Sequence, residues 1–158
     1  MNKKENYYED FANNPLINVK DLREGIFSVN FTREAFYKSA WDSLNIKARG
    51  LFIGKSNNVY ARSYNKFFNV EEREETKKEV LWENLGFPIQ VYKKYNGFLG
   101  IVWIKWDNVL YCSKSNIEGQ FPDMVKNHLQ KFQKKMLPIL QNGYSLVFEI
   151  CDKKDQHI

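Results

Sequence analysis

Apolar and polar positions alternate most regularly where Phe27, Val29 and Phe31 are separated by Ser28 and Asn30, the period of a half-buried strand. Thr32 can then cap a short helix whose inward face would carry Phe36, Ala40, Trp41 and Leu44. Residues 50–53 and 59–63 read as two strands joined across Lys55-Ser56-Asn57-Asn58. Residues 70–85 are rich in Glu and Lys, with Val80, Leu81 and Leu85 apolar, and predict a solvated helix. Residues 1–15 are polar, end in Asn13-Asn14-Pro15, and read as a loose lead-in to one domain over 16–158.

The second half is sharper. A strand over 87–94 precedes Tyr95-Asn96-Gly97, and an apolar strand follows from 98 to 106. Asp107-Asn108 turns the chain into a partner strand over 109–113. Pro122-Asp123 suits a helix first turn, and Val125, Leu129, Phe132 and Met136 share one helical face. Pro138 and Gly143 end that helix, and 145–151 forms a last strand. Hairpin-linked strands with helices between them predict an α+β fold, antiparallel β-sheets with flanking helices. No internal repeat or linker interrupts it. The chain stops after Ile158 without a closing helix or polar tail, as expected of a fragment.

Composition changes this picture in three ways. Aromatic residues reach 16%, which a β-rich core explains in the main and base stacking in part. A net charge of +5 attracts phosphates without sequence preference. Cys112 and Cys151 lie far apart, which suits a reducing compartment and gives neither a disulfide framework nor a zinc site. No signal peptide and no run of about 18 apolar residues is visible, so no membrane role and a cytoplasmic location are expected. His128 and His157 lack a partner at metal-ligand spacing, Ser113 lacks triad company, and there is no G-x-x-x-x-G-K-[ST] phosphate loop.

Candidate chemistry centers on Lys93-Lys94-Tyr95-Asn96-Gly97. A nucleophilic lysine must lose its proton, which neighboring positive charge or a dry pocket promotes. Gly97 would let a ligand approach the backbone closely. Strand alternation would place Gln90, Tyr92 and Lys94 on one face and Lys93 on the other. Asn-Gly between strands is also a plain hairpin signal, and the two readings are compatible.

The motif has ordered company. Upstream stand Lys47-Ala48-Arg49-Gly50-Leu51-Phe52-Ile53 and Ala61-Arg62-Ser63-Tyr64-Asn65-Lys66-Phe67-Phe68-Asn69. Downstream stand Ser113-Lys114-Ser115 and Leu146-Val147-Phe148-Glu149-Ile150. From about Ile26 onward this set resembles the phage-type ATP-dependent RNA ligases, the tRNA-repair ligases of the covalent nucleotidyltransferase superfamily. The resemblance implies a partial nucleotidyltransferase domain of the ATP-grasp-like adenylation type, with ATP and Mg2+ as cofactors and RNA, such as broken tRNA, as partner. It implies Lys94 as the adenylylated lysine, with Arg49, Lys66, Asn96, Gly97, Lys114 and Glu149 at the nucleotide. Arg49 and Lys66 would face phosphates, and Glu149 would take a ribose hydrogen bond or help hold metal.

There are departures from the family. Asn96 stands where phage-type members usually carry Asp, a form closer to fungal tRNA ligases. Val29 stands where some relatives place a tyrosine near the nucleotide. The later acidic motif and final lysine pair, which in the family bind metal and orient phosphates, would lie beyond Ile158. The chain is therefore expected to lack the C-terminal part of its own domain and to be a poor enzyme alone. Two other readings stay open: a noncatalytic basic RNA-binding module, and a nucleotidyltransferase acting on DNA or using GTP.

Overall fold

Two antiparallel sheets packed face to face carry the domain, and a computed structural model describes them over residues 7–153 and 155. The first sheet comprises β1 (Ile17–Asp21), β2 (Phe27–Phe31), β3 (Leu51–Ile53) and β4 (Val59–Arg62) in that order. A short helix α1 (Tyr7–Ala12) precedes it, and α2 (Arg33–Tyr37) follows β2. Then comes α3 (Lys78–Asn84). The second sheet is built from β5 (Phe98–Lys105), β6 (Asn108–Ser113) and β7 (Leu146–Ile150), with β5 central. Helices α4 (Gln120–Leu129) and α5 (Gln133–Gln141) cross between β6 and β7.

Alternation along each strand assigns its faces. Phe27, Val29, Leu51 and Ile53 pack with Ile17 beneath Phe11 and Tyr8 of α1. The opposite face of that sheet gives Phe52 and Ala61 to a shared core with Leu99, Ile101, Trp103 and Cys112 of the second sheet. Phe52 and Trp103 stack there with ring centroids 5.9 Å apart. Val102 and Tyr111 point the other way, against Val125 and Leu129 of α4 and Met136 and Leu140 of α5. Burial also acts on a thiol in the shared core. Trp103 donates its indole N–H to Cys112 Sγ at 3.0 Å, and burial pushes the Cys112 pKa up to about 12.

Several expectations need correction. The lead-in contains α1, anchored because Phe11 is 1% exposed; residues 1–6 lie outside the described residues. The strand β2 is buried on both faces, since Ser28 and Asn30 are buried along with Phe27 and Val29. Thr32 does cap α2, accepting from Ala35 N at 3.1 Å. That helix ends at Tyr37, however, and buries Ala35 while Phe36 stays exposed. The solvated helix over 70–85 shrinks to a 3-10 turn at Glu74–Thr76 followed by α3. A further 3-10 turn, Gln130–Phe132, separates α4 from α5 and leaves Phe132 exposed. Pro138 sits inside α5, which runs on to Gln141 before Gly143 takes a φ of 83°. No helix of the described residues is long and apolar enough to cross a membrane.

The largest correction concerns 87–94, which forms no strand. Phe87, Ile89 and Val91 alternate as a strand would, but no strand of the described sheets pairs with them, and all three are exposed. Pro88 also removes one of the segment's backbone donors. The facing of Lys93 and Lys94 therefore cannot rest on strand parity.

Candidate active site

Glu149 is the hub of the site. It lies in β7 opposite Leu99, on the face turned toward the first sheet. Its Oε1 accepts the Gly97 backbone N–H at 3.1 Å and meets Lys94 Nζ at 3.9 Å. Lys94 also donates to the Tyr95 carbonyl at 3.3 Å. Lys93 instead lies over the Tyr95 ring, 5.0 Å from its centroid. The two lysines are thus separated by their contacts. The Lys94 side chain is 69% exposed and has a carboxylate beside it, so neither a dry pocket nor a ring of cations surrounds it in this state. Gly97 has a reason to be glycine, because a Cβ there would collide with the Ile150 carbonyl. The Asn96 carbonyl accepts from Cys151 Sγ at 3.4 Å, which ties the same turn to the end of β7.

Arg49 approaches from the first sheet. Gly50, at a φ of 56°, sends its N–H to Asn30 Oδ1 at 3.0 Å and accepts from Ser63 N at 2.9 Å. That turn sets Arg49 to donate to Ser63 Oγ at 3.1 Å. Asn30 also donates to the Lys114 carbonyl at 3.4 Å, bridging the two sheets. Desolvation depresses the pKa of Lys114, and the charge of Arg49 pushes it the same way. Arg49 is likewise depressed by desolvation, with Glu149 opposing. Arg49 is partly buried while Lys114 keeps an exposed surface, and the repulsion between the two charges favors a bound anion.

Lys66 is the most sheltered of the predicted lysines, with 13% of its side chain exposed. Its Nζ lies 4.0 Å from the Phe68 ring centroid and 5.4 Å from that of Trp41, and pairs with Glu72 at 3.5 Å. An open pocket of about 880 Å³ is lined by Arg62, Ser63, Lys66, Tyr92, Lys93 and Lys94, among others. Lys94 and Lys66 thus share one pocket; Arg49 reaches it through Ser63, and Glu149 through Lys94. Among the described residues no three His, Cys, Asp or Glu gather as a metal site, so Glu149 would be a solitary carboxylate ligand.

A sequence model of the family described as RNA ligase matches residues 47–158, well over half of the chain. The chain belongs to the RNA ligase family. This ligase-family chain is 29% identical to a tRNA ligase of Candida albicans, covering 73% of itself and 18% of that protein. It is 27% identical to tRNA ligase 1 of Schizosaccharomyces pombe, covering 73% of itself and 17% of that protein. The chain thus spans under a fifth of the length of these relatives.

Two residues of this candidate site, Ser63 and Asn30, were not foreseen as contributors. Ser63 and Asn30 act through tertiary hydrogen bonds, and only the polar break at Asn30 inside an apolar strand hinted at one. Val29 is fully buried on the α1 side. The rings divide between core and surface, with Tyr8, Tyr60, Phe98 and Phe148 packed against the buried clusters. Phe11, Phe27, Phe52, Trp103 and Tyr111 are the buried rings among the described residues, and exposed rings outnumber them. His128 meets Asp152 Oδ2 at 2.7 Å, while His157 lies outside the described residues.

Proposed function

We propose that this chain belongs to the adenylation domain of an ATP-dependent RNA ligase that seals RNA ends in repair, with Lys94 as nucleophile. The observation that carries the reading is the meeting of Lys94, Gly97 and Glu149, with Lys66 lining the same pocket as Lys94. The lysine nitrogen, once it has given its proton to solvent, attacks the α-phosphorus of ATP. A nitrogen–phosphorus bond forms, the bond from the α-phosphorus to the bridging oxygen breaks, and pyrophosphate leaves. Arg49, Lys66 and Lys114 supply fixed positive charge to the phosphates. The incoming phosphates compete with Glu149 for Lys94, and Glu149 keeps the Gly97 turn in place. AMP then passes to an RNA 5′-phosphate, and a 3′-hydroxyl displaces it to join the strand.

The donor set of the described residues does not fit a resident magnesium ion, since one carboxylate already bonded to Gly97 is a poor cage. Magnesium enters the proposal as a companion of the triphosphate, whose oxygens would bind it, and no step above runs through it. The names of the two fungal relatives favor tRNA as the RNA. The test is transfer of label from ATP to Lys94; label taken from GTP, or from neither nucleotide, would replace this reading with one of its rivals.

A further inference from the structure

A second cavity, of about 590 Å³, opens beside the Lys94 pocket between β4 and the segment leading into β7. The two share Arg62, Ser63 and Tyr64 in their walls, so together they form one trench from Lys94 to Tyr144. The chain carries 19 acidic residues, yet no acidic side chain lines either cavity. By contrast, Asp21, Glu24 and Glu118 line the cavity that contains Trp106. Along the trench stand the cations Arg62, Lys66, Lys93 and Lys94. Tyr64 and Tyr144 open onto it with 69% and 66% of their surfaces exposed.

The walls are fixed to one another. Ser145 Oγ accepts from Arg62 N at 3.3 Å and donates to the Arg62 carbonyl at 3.0 Å, joining β4 to the start of β7. Asn65 Oδ1 takes Arg62 Nη2 at 2.6 Å and so orients the guanidinium. Exposed aromatic faces beside a row of cations, with Glu72 and Glu149 behind Lys66 and Lys94 rather than in the walls, suit a strand with unpaired bases and a phosphate backbone.

We infer that this trench is the track for a single-stranded RNA segment whose end lies at Lys94, with Arg62 on a phosphate and Tyr64 and Tyr144 stacking on bases. The inference rests on the RNA ligase reading for the identity of the strand. Tyr144 lines only the second cavity, so changing it alters the track without touching the wall of the Lys94 pocket.

The test uses the full chain and a fluorescent, 5′-phosphorylated single-stranded oligoribonucleotide, with binding followed by anisotropy at low salt. Tyr144→Ala should weaken binding about 5- to 150-fold, as expected for loss of one base stack. Tyr144→Trp should retain it. Trp106→Ala removes a ring that is 71% exposed in the acidic-lined cavity and should leave binding unchanged. Labeling of Lys94 by ATP should be the same in Tyr144→Ala as in the unaltered chain. The inference is overturned if Tyr144→Ala binds as the unaltered chain does, if Trp106→Ala loses as much, or if the unaltered chain binds no RNA. If Lys94 takes no label while Tyr144→Ala still loses RNA, the ligase chemistry fails and the track stands.

Discussion

Glu149 accepts the backbone N–H of Gly97 at 3.1 Å, which ties the last strand of the second sheet to the turn just after Lys94. The same oxygen faces Lys94 Nζ at 3.9 Å. One carboxylate thus holds both the backbone of the motif and the side chain proposed to react. Its neutral and truncated variants separate these roles. Glu149→Gln keeps an acceptor for Gly97 and loses the charge, so folding should be retained while label transfer to Lys94 falls. Glu149→Ala loses both and should cost on the order of 1 kcal/mol of stability besides. Denaturant melts of the two variants check this. Equal melts with unchanged labeling in both would contradict the role given to Glu149.

Gly50 is the point where Arg49, Asn30 and Ser63 converge. A Cβ there would lie 2.9 Å from both Leu99 and Ile101 side-chain carbons, on a backbone with φ of 56°. Gly50→Ala should therefore cost about 2–4 kcal/mol by denaturant unfolding, from strain and overpacking together. Gly86→Ala meets nothing within 4 Å and serves as the control. It should stay within about 0.5 kcal/mol of the unaltered chain. Similar melts for the two variants would show that the Gly50 turn is not tightly held.

Much of this was legible in the sequence, and the failures have a common cause. The hairpin of β5 and β6 and the strand β7 follow from local apolar runs and turn residues, and the structure has them where expected. Phe87, Ile89 and Val91 carry the same local signal and still form no strand, because strand formation needs a partner that alternation cannot reveal. Lys94, Arg49, Lys66 and Glu149 were visible as charged residues in ordered motifs. Ser63 and Asn30 were not, since their importance lies in contacts across 14 and 20 residues of chain. Phe11 was hidden for a similar reason, its burial being decided by β2 and β3 rather than by its polar neighbors.

Lys114 gives a pH dependence. Desolvation and the charge of Arg49 lower its pKa in the folded chain below the ordinary lysine value. The unfolded chain therefore keeps that proton to higher pH than the folded one. Between the two values, the group's contribution to stability rises with pH. A bound phosphate favors the charged form, so affinity for a nonhydrolyzable ATP analog should be full below the folded pKa and fall as pH rises through it. Lys114→Arg keeps its charge throughout and should abolish this fall. Calorimetric titration from neutral to alkaline pH checks this, and an identical profile in Lys114→Arg would remove Lys114 from the phosphate site.

The central claim is the bond to Lys94, and peptide mapping after incubation with labeled ATP and magnesium tests it most directly. The protein should carry AMP on Lys94 through an acid-labile, base-stable bond to nitrogen. Label should vanish in Lys94→Ala and in Lys94→Arg, whose guanidinium cannot act as the nucleophile. Lys93→Ala should keep the label, since Lys93 lies against Tyr95 rather than Glu149. Arg49→Ala and Lys66→Ala should slow labeling by about 100- to 1,000-fold without moving it, the usual loss for one preorganized donor. Label on Lys93, or label undiminished in Lys94→Ala, would contradict the account.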